Sequence, residues 1–253
     1  MKLSARIKAL PPTIWWLALL MLAALAVRLV HWHVYPMESR DGIYYVQFLQ
    51  HWFEAGNDGL PAFGRMPPPL FCYLGRALMY CRVSAATALL SINMLCGVLT
   101  VVPAYLIGRT IYDDGRAGLW FAGFAAVMPP LVAFSCTRIR ECLYLFCVFW
   151  FVWAWIMTVK HRRERVCALL CGAISVIAMH CRYEAAELFL FALGSLPIAG
   201  LFPNWRWRRC GVIALCVLFG AVVTVSVMRL LPGMPDIFQI FYSQLRVRCP
   251  SVF

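Results

Sequence analysis

Long apolar runs separated by short polar segments dominate the hydrophobic pattern of this 253-residue chain. Several runs extend for around twenty residues without a charge, which is the length that an α-helix needs to cross a bilayer. The pattern predicts an all-α, polytopic membrane protein with about seven transmembrane helices in a single module, residues 1–253. The predicted spans are 13–30, 83–108, 117–137, 142–159, 166–181, 188–205 and 210–228.

The first loop, about residues 31–82, is the longest polar segment of the chain. Residues 43–54 have the helical period of an amphipathic helix that lies on a membrane surface, and Gly56 ends it. Three consecutive prolines at 67–69 predict extended backbone before a second short helix at 70–80. The first helix has a polar face of Gln47, Gln50, His51 and Glu54, and an apolar face of Tyr45, Phe48, Leu49 and Trp52.

Composition agrees with the membrane prediction. The chain is 63% hydrophobic and 13% charged, with a mean hydropathy of +0.76, whereas about a quarter of the residues in soluble domains are charged. The net charge of +12 lies in loops between apolar runs, so it indicates membrane topology and contact with anionic lipid rather than nucleic acid. Most of the twelve cysteines lie inside apolar runs without a C-x-x-C pair, which favours buried packing over a metal site.

The charge distribution predicts the orientation. The dense basic stretch at 160–165 is typical of a cytoplasmic loop, so we take the N-terminus as cytoplasmic. Eight of the eleven acidic residues then lie at the outer face, which predicts an outward-facing acidic site. They are Glu38, Asp41, Glu54, Asp58, Glu141, Glu184, Glu187 and Asp236.

Asp41 is the first candidate for chemistry, because it opens the amphipathic helix beside the membrane. It could be a helix N-cap, since Asp accepts hydrogen bonds from the free amides at a helix start. It could also be a general base that removes a proton from an acceptor hydroxyl. The two roles are compatible, because a carboxylate at a helix start is held rigidly above the bilayer.

Two basic groups are candidates for binding an anionic lipid head group. Arg138, Arg140 and Glu141 precede the fourth span, and the spacing of Arg138 and Glu141 predicts that they meet on one side of a helix. They form either a juxtamembrane ion pair or a phosphate clamp. Arg182 is a second phosphate contact or a simple boundary charge, and Glu184 either holds Arg182 or binds sugar hydroxyls.

The order of these motifs resembles the GT-C membrane glycosyltransferases. The nearest branch is the family 39 group of protein O-mannosyltransferases and lipid A aminoarabinose transferases, whose shared N-terminal module this chain resembles. Members usually have further spans after the shared seven, so we expect that module alone, a truncated gene, or a chain that needs a partner subunit. The residues that carry the resemblance are Arg40-Asp41-Gly42-Ile43-Tyr44-Tyr45, Pro68-Pro69-Leu70, Arg140-Glu141-Cys142-Leu143-Tyr144 and Arg182-Tyr183-Glu184.

The resemblance implies a polyprenyl-phosphate sugar donor, a lipid, glycan or protein acceptor, and an outward-facing site. It makes Asp41 the catalytic base, with Glu141 assisting. The family often has Asp-Glu where this chain has Asp41-Gly42. Most of the branch needs no metal or other cofactor, although some GT-C relatives use a divalent metal. The resemblance also implies donor or phosphate contacts from Arg182, Arg138, Arg140, Glu184 and Arg40, and a substrate loop with Tyr44, Tyr45, Pro68 and Pro69.

Two other functions fit the pattern. A transporter or flippase would use the same carboxylates and arginines to move a lipid-linked substrate, although no pair of Gly- or Pro-broken spans and no repeated halves stand out. A non-catalytic assembly subunit would tolerate substitution of Asp41 and Arg182. The short basic N-terminus favours a bacterial inner membrane over the endoplasmic reticulum, with the active face periplasmic.

Overall fold

The structure, a computed structural model, describes residues 12–56, 67, 69–201 and 206–231. Regular structure in these ranges is entirely helical, as predicted. The helices are α1 (Pro12–Val34), α2 (Arg40–Ala55), α3 (Pro69–Met79), α4 (Ala85–Leu99), α5 (Val101–Tyr112), α6 (Gly115–Val127), α7 (Pro129–Ser135), α8 (Glu141–Val159), α9 (Glu164–Cys181), α10 (Ala186–Ala199) and α11 (Trp207–Arg229), and a 3₁₀ turn at Tyr183–Ala185 precedes α10.

Five helices in the described ranges are long and apolar enough to cross a membrane. They are α1, the stacked pair α4 and α5, α8, α9 and α11, and a sixth is counted if the bent pair α6 and α7 forms one span. This confirms a polytopic all-α membrane protein. The predicted span 188–205 overlaps α10, which begins two residues earlier, has only 14 residues and is therefore about 21 Å long.

Polar contacts define two ends of the bundle. The Asp41 end, at the start of α8, contains the ion pair of Arg138 with Glu38. The Lys160 end, at the other end of α8, contains the ion pair of Lys160 with Asp113. Glu187, in the first turn of α10, contacts Tyr144 at the Asp41 end. Arg209, in the first turn of α11, pairs with Glu164 at the Lys160 end. The chain between the starts of these two helices, which includes the short α10, therefore runs from one end of the bundle to the other.

The predicted span 117–137 is broken. α6 and α7 meet at an angle of 53°, and Met128 between them has extended backbone with ψ of 118°. Pro129 explains the break, because a residue that precedes proline is disfavoured in the helical region. The break directs the chain after α7 toward the start of α8, where the candidate phosphate-binding residues lie.

The amphipathic helix of the first loop forms as α2, and its C-cap is Gly56 with φ of 67°. All four residues of the predicted apolar face are buried, and all four of the predicted polar face are exposed. The apolar face packs into the protein core, however, with Phe71 and Cys72 of α3 among its neighbours. The apolar face therefore contacts protein rather than lipid, and the position of this helix at the membrane surface remains a prediction.

Candidate functional site

One hydrophobic cluster beneath the Asp41 end joins the four segments that the sequence singled out. α2, α3, the first turns of α8 and the last turn of α9 all contribute buried side chains to it. Residues far apart in the chain therefore surround a single core. Its members from these segments include Tyr45, Phe48, Leu70, Phe71, Cys142, Leu143, Tyr144, Cys181 and Ala185.

Asp41 is exposed in the first turn of α2. Ser39 is the N-cap of this helix, and its hydroxyl accepts a hydrogen bond from the Gly42 amide at 2.9 Å. The capping interpretation of Asp41 is therefore wrong: the chain has a better cap two residues earlier, because a short Ser hydroxyl reaches the third amide of the turn. The Asp41 carboxylate is therefore exposed to solvent.

Gly42 brings this helix start against the turn that precedes α8. A Cβ built on Gly42 would lie 3.3 Å from both the Cβ and the carbonyl oxygen of Arg138. A larger residue would push the two segments apart. The glycine at position 42 thus lets the start of α2 lie against the turn that contains Arg138.

The turn at residues 137–140 is organised by Asn93, a fully buried residue of α4. Its side-chain amide donates to the carbonyl oxygens of Thr137 and Ile139, each at 2.6 Å. Because buried polar groups need hydrogen-bond partners, these two bonds hold the turn in a fixed conformation. Asn93 was absent from the sequence-based candidates, because a single Asn in an apolar run has no distinctive spacing.

The charged residues of this turn pair differently from the expectation. Arg138 forms an ion pair with Glu38, which follows α1, and Arg140 lies 3.8 Å from Glu141. The predicted meeting of Arg138 and Glu141 on one side of a helix is wrong, because α8 begins only at Glu141 and the arginines precede it in a turn. Arg138 also lines a cavity of about 260 Å³ with Glu38, Trp32 and His33.

Three buried polar atoms at this turn have no hydrogen-bond partner among the described residues. They are Nε of Arg138, Nε of Arg140 and Oε2 of Glu141. Leaving a buried donor or acceptor unpaired costs about 1–3 kcal/mol. A group of such atoms within four residues indicates a site whose polar partner is a ligand or water.

Arg182 forms a second charged group at the same end. Its guanidinium lies 5.5 Å from the centre of the Tyr144 ring and 3.4 Å from the Glu184 carboxylate. The Tyr144 hydroxyl donates to Glu187 at 3.0 Å. Glu184 therefore holds Arg182, which is one of its two predicted roles, and Tyr144 connects the start of α8 to α10.

Tyr45 lies between the acidic and basic groups of the site. Burial raises the pKa of its hydroxyl, the positive charge of Arg140 opposes that shift, and the carboxylates of Asp41 and Glu141 add to it. Tyr45 is therefore within electrostatic reach of each of these three charged residues. A neutral tyrosine beside Asp41 supplies a hydroxyl without competing as a base.

The remaining predicted substrate-loop residues have simpler positions. Tyr44 is half-buried and packs edge-on against Tyr45. Arg40 is the exposed first residue of α2 and forms no ion pair with the described residues. Pro69 is buried at the start of α3, whereas Pro68 lies outside the described residues.

Arg28 supports the site from inside the membrane region. It is fully buried in α1, and its guanidinium donates to the Ser135 hydroxyl at 3.0 Å and to the Ala126 carbonyl at 2.9 Å. Pro130 has no amide hydrogen, so the Ala126 carbonyl lacks its helical donor. Arg28 therefore supplies the hydrogen bond that the Ala126 carbonyl loses at the break between α6 and α7. Arg28 was not among the sequence-based candidates, because it is a single charged residue near the end of an apolar run.

No group of three or more His, Cys, Asp or Glu side chains in the described ranges is arranged to hold a metal ion. The described cysteines are all free thiols, and most of them are buried. The expectation that the reaction needs no cofactor remains a prediction.

Comparison with protein families identifies the chain. The model of the dolichyl-phosphate-mannose-protein mannosyltransferase family matches residues 66–229, which is more than half of the sequence. The chain belongs to this family. It is therefore a membrane glycosyltransferase of the GT-C type. A search of curated proteins finds no match.

The family match covers α3 to α11, with Glu141 and Arg182, but begins after Asp41. The family's name specifies a polyprenyl-phosphate donor, dolichyl phosphate mannose, and a protein acceptor. Any role for Asp41 therefore rests on the geometry of α2 in this structure and on its resemblance to the first-loop acid of GT-C enzymes.

Proposed function

We propose that this glycosyltransferase moves a sugar from a polyprenyl-phosphate donor to an acceptor hydroxyl at the Asp41 end of the bundle. The observation that carries the proposal is the docking of Gly42 on Arg138, which holds Asp41 beside a rigid basic turn with unpaired buried polar atoms. A base beside a phosphate-binding surface is what transfer from a sugar phosphate requires. The acceptor is a lipid, glycan or protein, and the sugar is a hexose or pentose.

In the proposed reaction, the Asp41 carboxylate takes the proton from the acceptor hydroxyl. The acceptor oxygen attacks the anomeric carbon, and a new glycosidic C–O bond forms. The bond between that carbon and the phosphate oxygen breaks, so polyprenyl phosphate leaves with the bonding electrons. The exposed position of Asp41 in the first turn of α2 supports this role, because the base must be accessible to the acceptor hydroxyl.

The leaving phosphate needs positive charge. Arg138 and Arg140 are held by the Asn93-organised turn, and their buried Nε atoms supply unused donors. Arg182, fixed by Glu184 and the Tyr144 ring, supplies a further guanidinium at the same end. Guanidinium groups bind phosphate oxygens in bidentate geometry, so they stabilise the charge that develops as the donor bond breaks. Glu141 assists by orienting Arg140.

The broken span raises transport as a second function, because discontinuous helices often form substrate sites in transporters. In this chain, Arg28 fills the break and donates to the buried carbonyl of Ala126, which lacks a helical donor. The break is therefore occupied by the protein's own side chain, which favours the transferase over the transporter.

The test compares the parent with Asp41→Asn in lipid, using mixed polyprenyl-phosphate sugars and mixed acceptors. We expect acceptor-dependent release of polyprenyl phosphate by the parent and a loss of about 100-fold or more in Asp41→Asn, the typical contribution of a general base. Glu54→Gln is the matched control, because it removes a carboxylate from the exposed face at the far end of α2.

Each other outcome has a distinct meaning. Equal turnover in both proteins would exclude Asp41 as the base. Tight donor binding by both proteins without any turnover would favour the assembly-subunit function. Movement of the donor across the bilayer without a covalent product would favour the transporter.

A further inference from the structure

The Lys160 end contains a charged group that glycosyl transfer does not use. The Asp113 carboxylate pairs with Lys160 at 3.2 Å and with Arg162 at 2.7 Å. Lys160 also donates to the carbonyl oxygens of Thr110 and Ile111, the last turn of α5, at 2.6 and 2.8 Å. These bonds fix the position of the basic loop after α8 against the end of α5. They also lower the pKa of Asp113, chiefly through the hydrogen bond from Lys160.

This end carries an excess of positive charge. Arg109, Lys160 and Arg162 face Asp113, and Arg109 forms no ion pair with the described residues. The neighbouring Asp114 is the N-cap of α6, where it accepts from the Arg116 amide at 3.0 Å. Even with Asp114 included, the three cations exceed the two carboxylates. The excess favours an anionic ligand.

A cavity of about 470 Å³ lies at this charged end, between α5 and α8. Its polar wall contains Arg109 and Arg162 together with Thr110 and the Asp113 carboxylate, which pairs with Arg162 and leaves Arg109 as the cation of the wall that has no ion pair among the described residues. Its opposite wall is apolar. The apolar residues are Leu106 of α5 and Trp153 and Met157 of α8.

An apolar groove of about 540 Å³ runs beside α8 farther into the membrane region. Phe149 lines this groove, and Trp153 and Met157 line the charged cavity. Residues spaced by four lie on one face of a helix, so a single stripe of α8 connects the groove with the cavity. Trp120 and Phe124 on the other side of the groove are 78% and 73% exposed, so the groove opens toward lipid.

We propose that this groove and cavity bind one anionic phospholipid, with its phosphate at Arg109 and Arg162 and an acyl chain against Phe149 and Trp153. A free phosphate ion would use the arginines but not the apolar walls. The combination of a basic pocket at a span boundary and a lipid-facing apolar groove is typical of bound anionic lipid. This site is at the opposite end of α8 from Asp41 and is independent of the proposed reaction.

The test is native mass spectrometry of the whole chain in detergent, with added phosphatidylglycerol or phosphatidylcholine. We expect retained phosphatidylglycerol on the parent, and about thirtyfold weaker binding by the variant with Arg109→Gln and Arg162→Gln, the combined effect of two arginines near an anionic head group. Arg109→Gln alone should weaken binding without disturbing the Asp113 ion pairs.

The matched control is the double variant Arg116→Gln and Arg165→Gln, which removes the same charge from exposed positions outside the cavity. Its lipid binding should equal that of the parent. Equal loss in the control variant, or equal retention of phosphatidylcholine, would overturn the site. Displacement of the lipid by inorganic phosphate at equal concentration would reduce the site to a simple anion pocket and overturn the lipid assignment.

Discussion

At the scale of single residues, the contact of Gly42 with Arg138 controls where Asp41 lies. In Gly42→Ala, the added Cβ would lie 3.0 Å from the Ser39 hydroxyl oxygen and 3.3 Å from Arg138. Alanine gains up to about 1 kcal/mol of helix propensity, but overpacking costs about 1–3 kcal/mol. We therefore expect a net loss of stability and a larger loss of turnover, measured by thermal unfolding and sugar transfer in lipid.

Gly194→Ala is the control for this substitution. Gly194 is also inside a helix, α10, but its added Cβ would meet nothing within 4 Å. The control should be neutral or stabilising and should keep full turnover. Full turnover in Gly42→Ala would contradict the proposed docking of α2 on the basic turn.

Asn93 gives a second prediction at this scale. Asn93→Ala removes the donor of the buried Thr137 carbonyl and that of the half-buried Ile139 carbonyl. At about 1–3 kcal/mol for each unpaired carbonyl, the two together should cost about 2–6 kcal/mol. We expect a lower unfolding temperature and weaker donor binding, because Arg138 and Arg140 lose their fixed turn. Donor binding is measured by titration in lipid.

Ser91→Ala, an exposed position on the same helix, separates this effect from a general loss of helix stability. It should leave both readouts unchanged. If Asn93→Ala lost stability but bound donor as tightly as the parent, the turn would be structural and would not position a phosphate.

At the scale of elements, the break between α6 and α7 and the buried Arg28 should be energetically coupled. Restoring amide hydrogens with Pro129→Ala and Pro130→Ala lets the backbone donate to Ala126. Arg28→Met should then cost less than in the parent, since one of its hydrogen bonds is no longer needed. Polar contacts within membranes contribute about 0.6 kcal/mol on average, and at most about 1.7.

A double-mutant cycle on thermal unfolding measures this coupling. We expect a coupling energy of about 0.5–1.5 kcal/mol. If the stability effects of Arg28→Met and of the two proline substitutions were additive, the hydrogen bond from Arg28 to Ala126 would not compensate for the break. Gly123→Ala is a suitable control in α6, because its added Cβ would meet only Leu20, at 3.9 Å.

The sequence predicted the elements better than their breaks and caps. The period of α2 identified its buried and exposed faces, because a helical face with four apolar residues leaves a clear pattern. It offered Asp41 as a possible helix cap, whereas Ser39 is the N-cap, since both residue types cap helices and their order alone does not decide. Pro129-Pro130 was a readable signal of the broken span. The roles of Arg28 and Asn93 could not be predicted from the sequence, because their hydrogen-bond partners are distant in the chain.

At the scale of the whole molecule, two parts of the chain combine in one site. The family match begins at residue 66, whereas α1 and α2 precede it. Tyr45 and Trp52 of α2 nevertheless belong to the same core cluster as Phe71 and Cys142 of the matched region. The carboxylate that we propose as the base and the arginines that we propose for the phosphate thus come from different segments, and the shared core aligns them.

The orientation of this assembly is the last prediction. Cys81 is exposed between α3 and α4, at the Asp41 end, and the other described cysteines are buried or lie within α11. A membrane-impermeant maleimide should therefore label Cys81 in right-side-out vesicles, in a Cys249→Ala background. With Cys81 also replaced by alanine, Arg116→Cys at the Lys160 end should be labelled only in inverted vesicles, because the basic residues of that end favour the cytoplasmic side. Labelling with the opposite sidedness would put Asp41 in the cytoplasm, and a donor carrying its sugar on the outer leaflet could not then reach it.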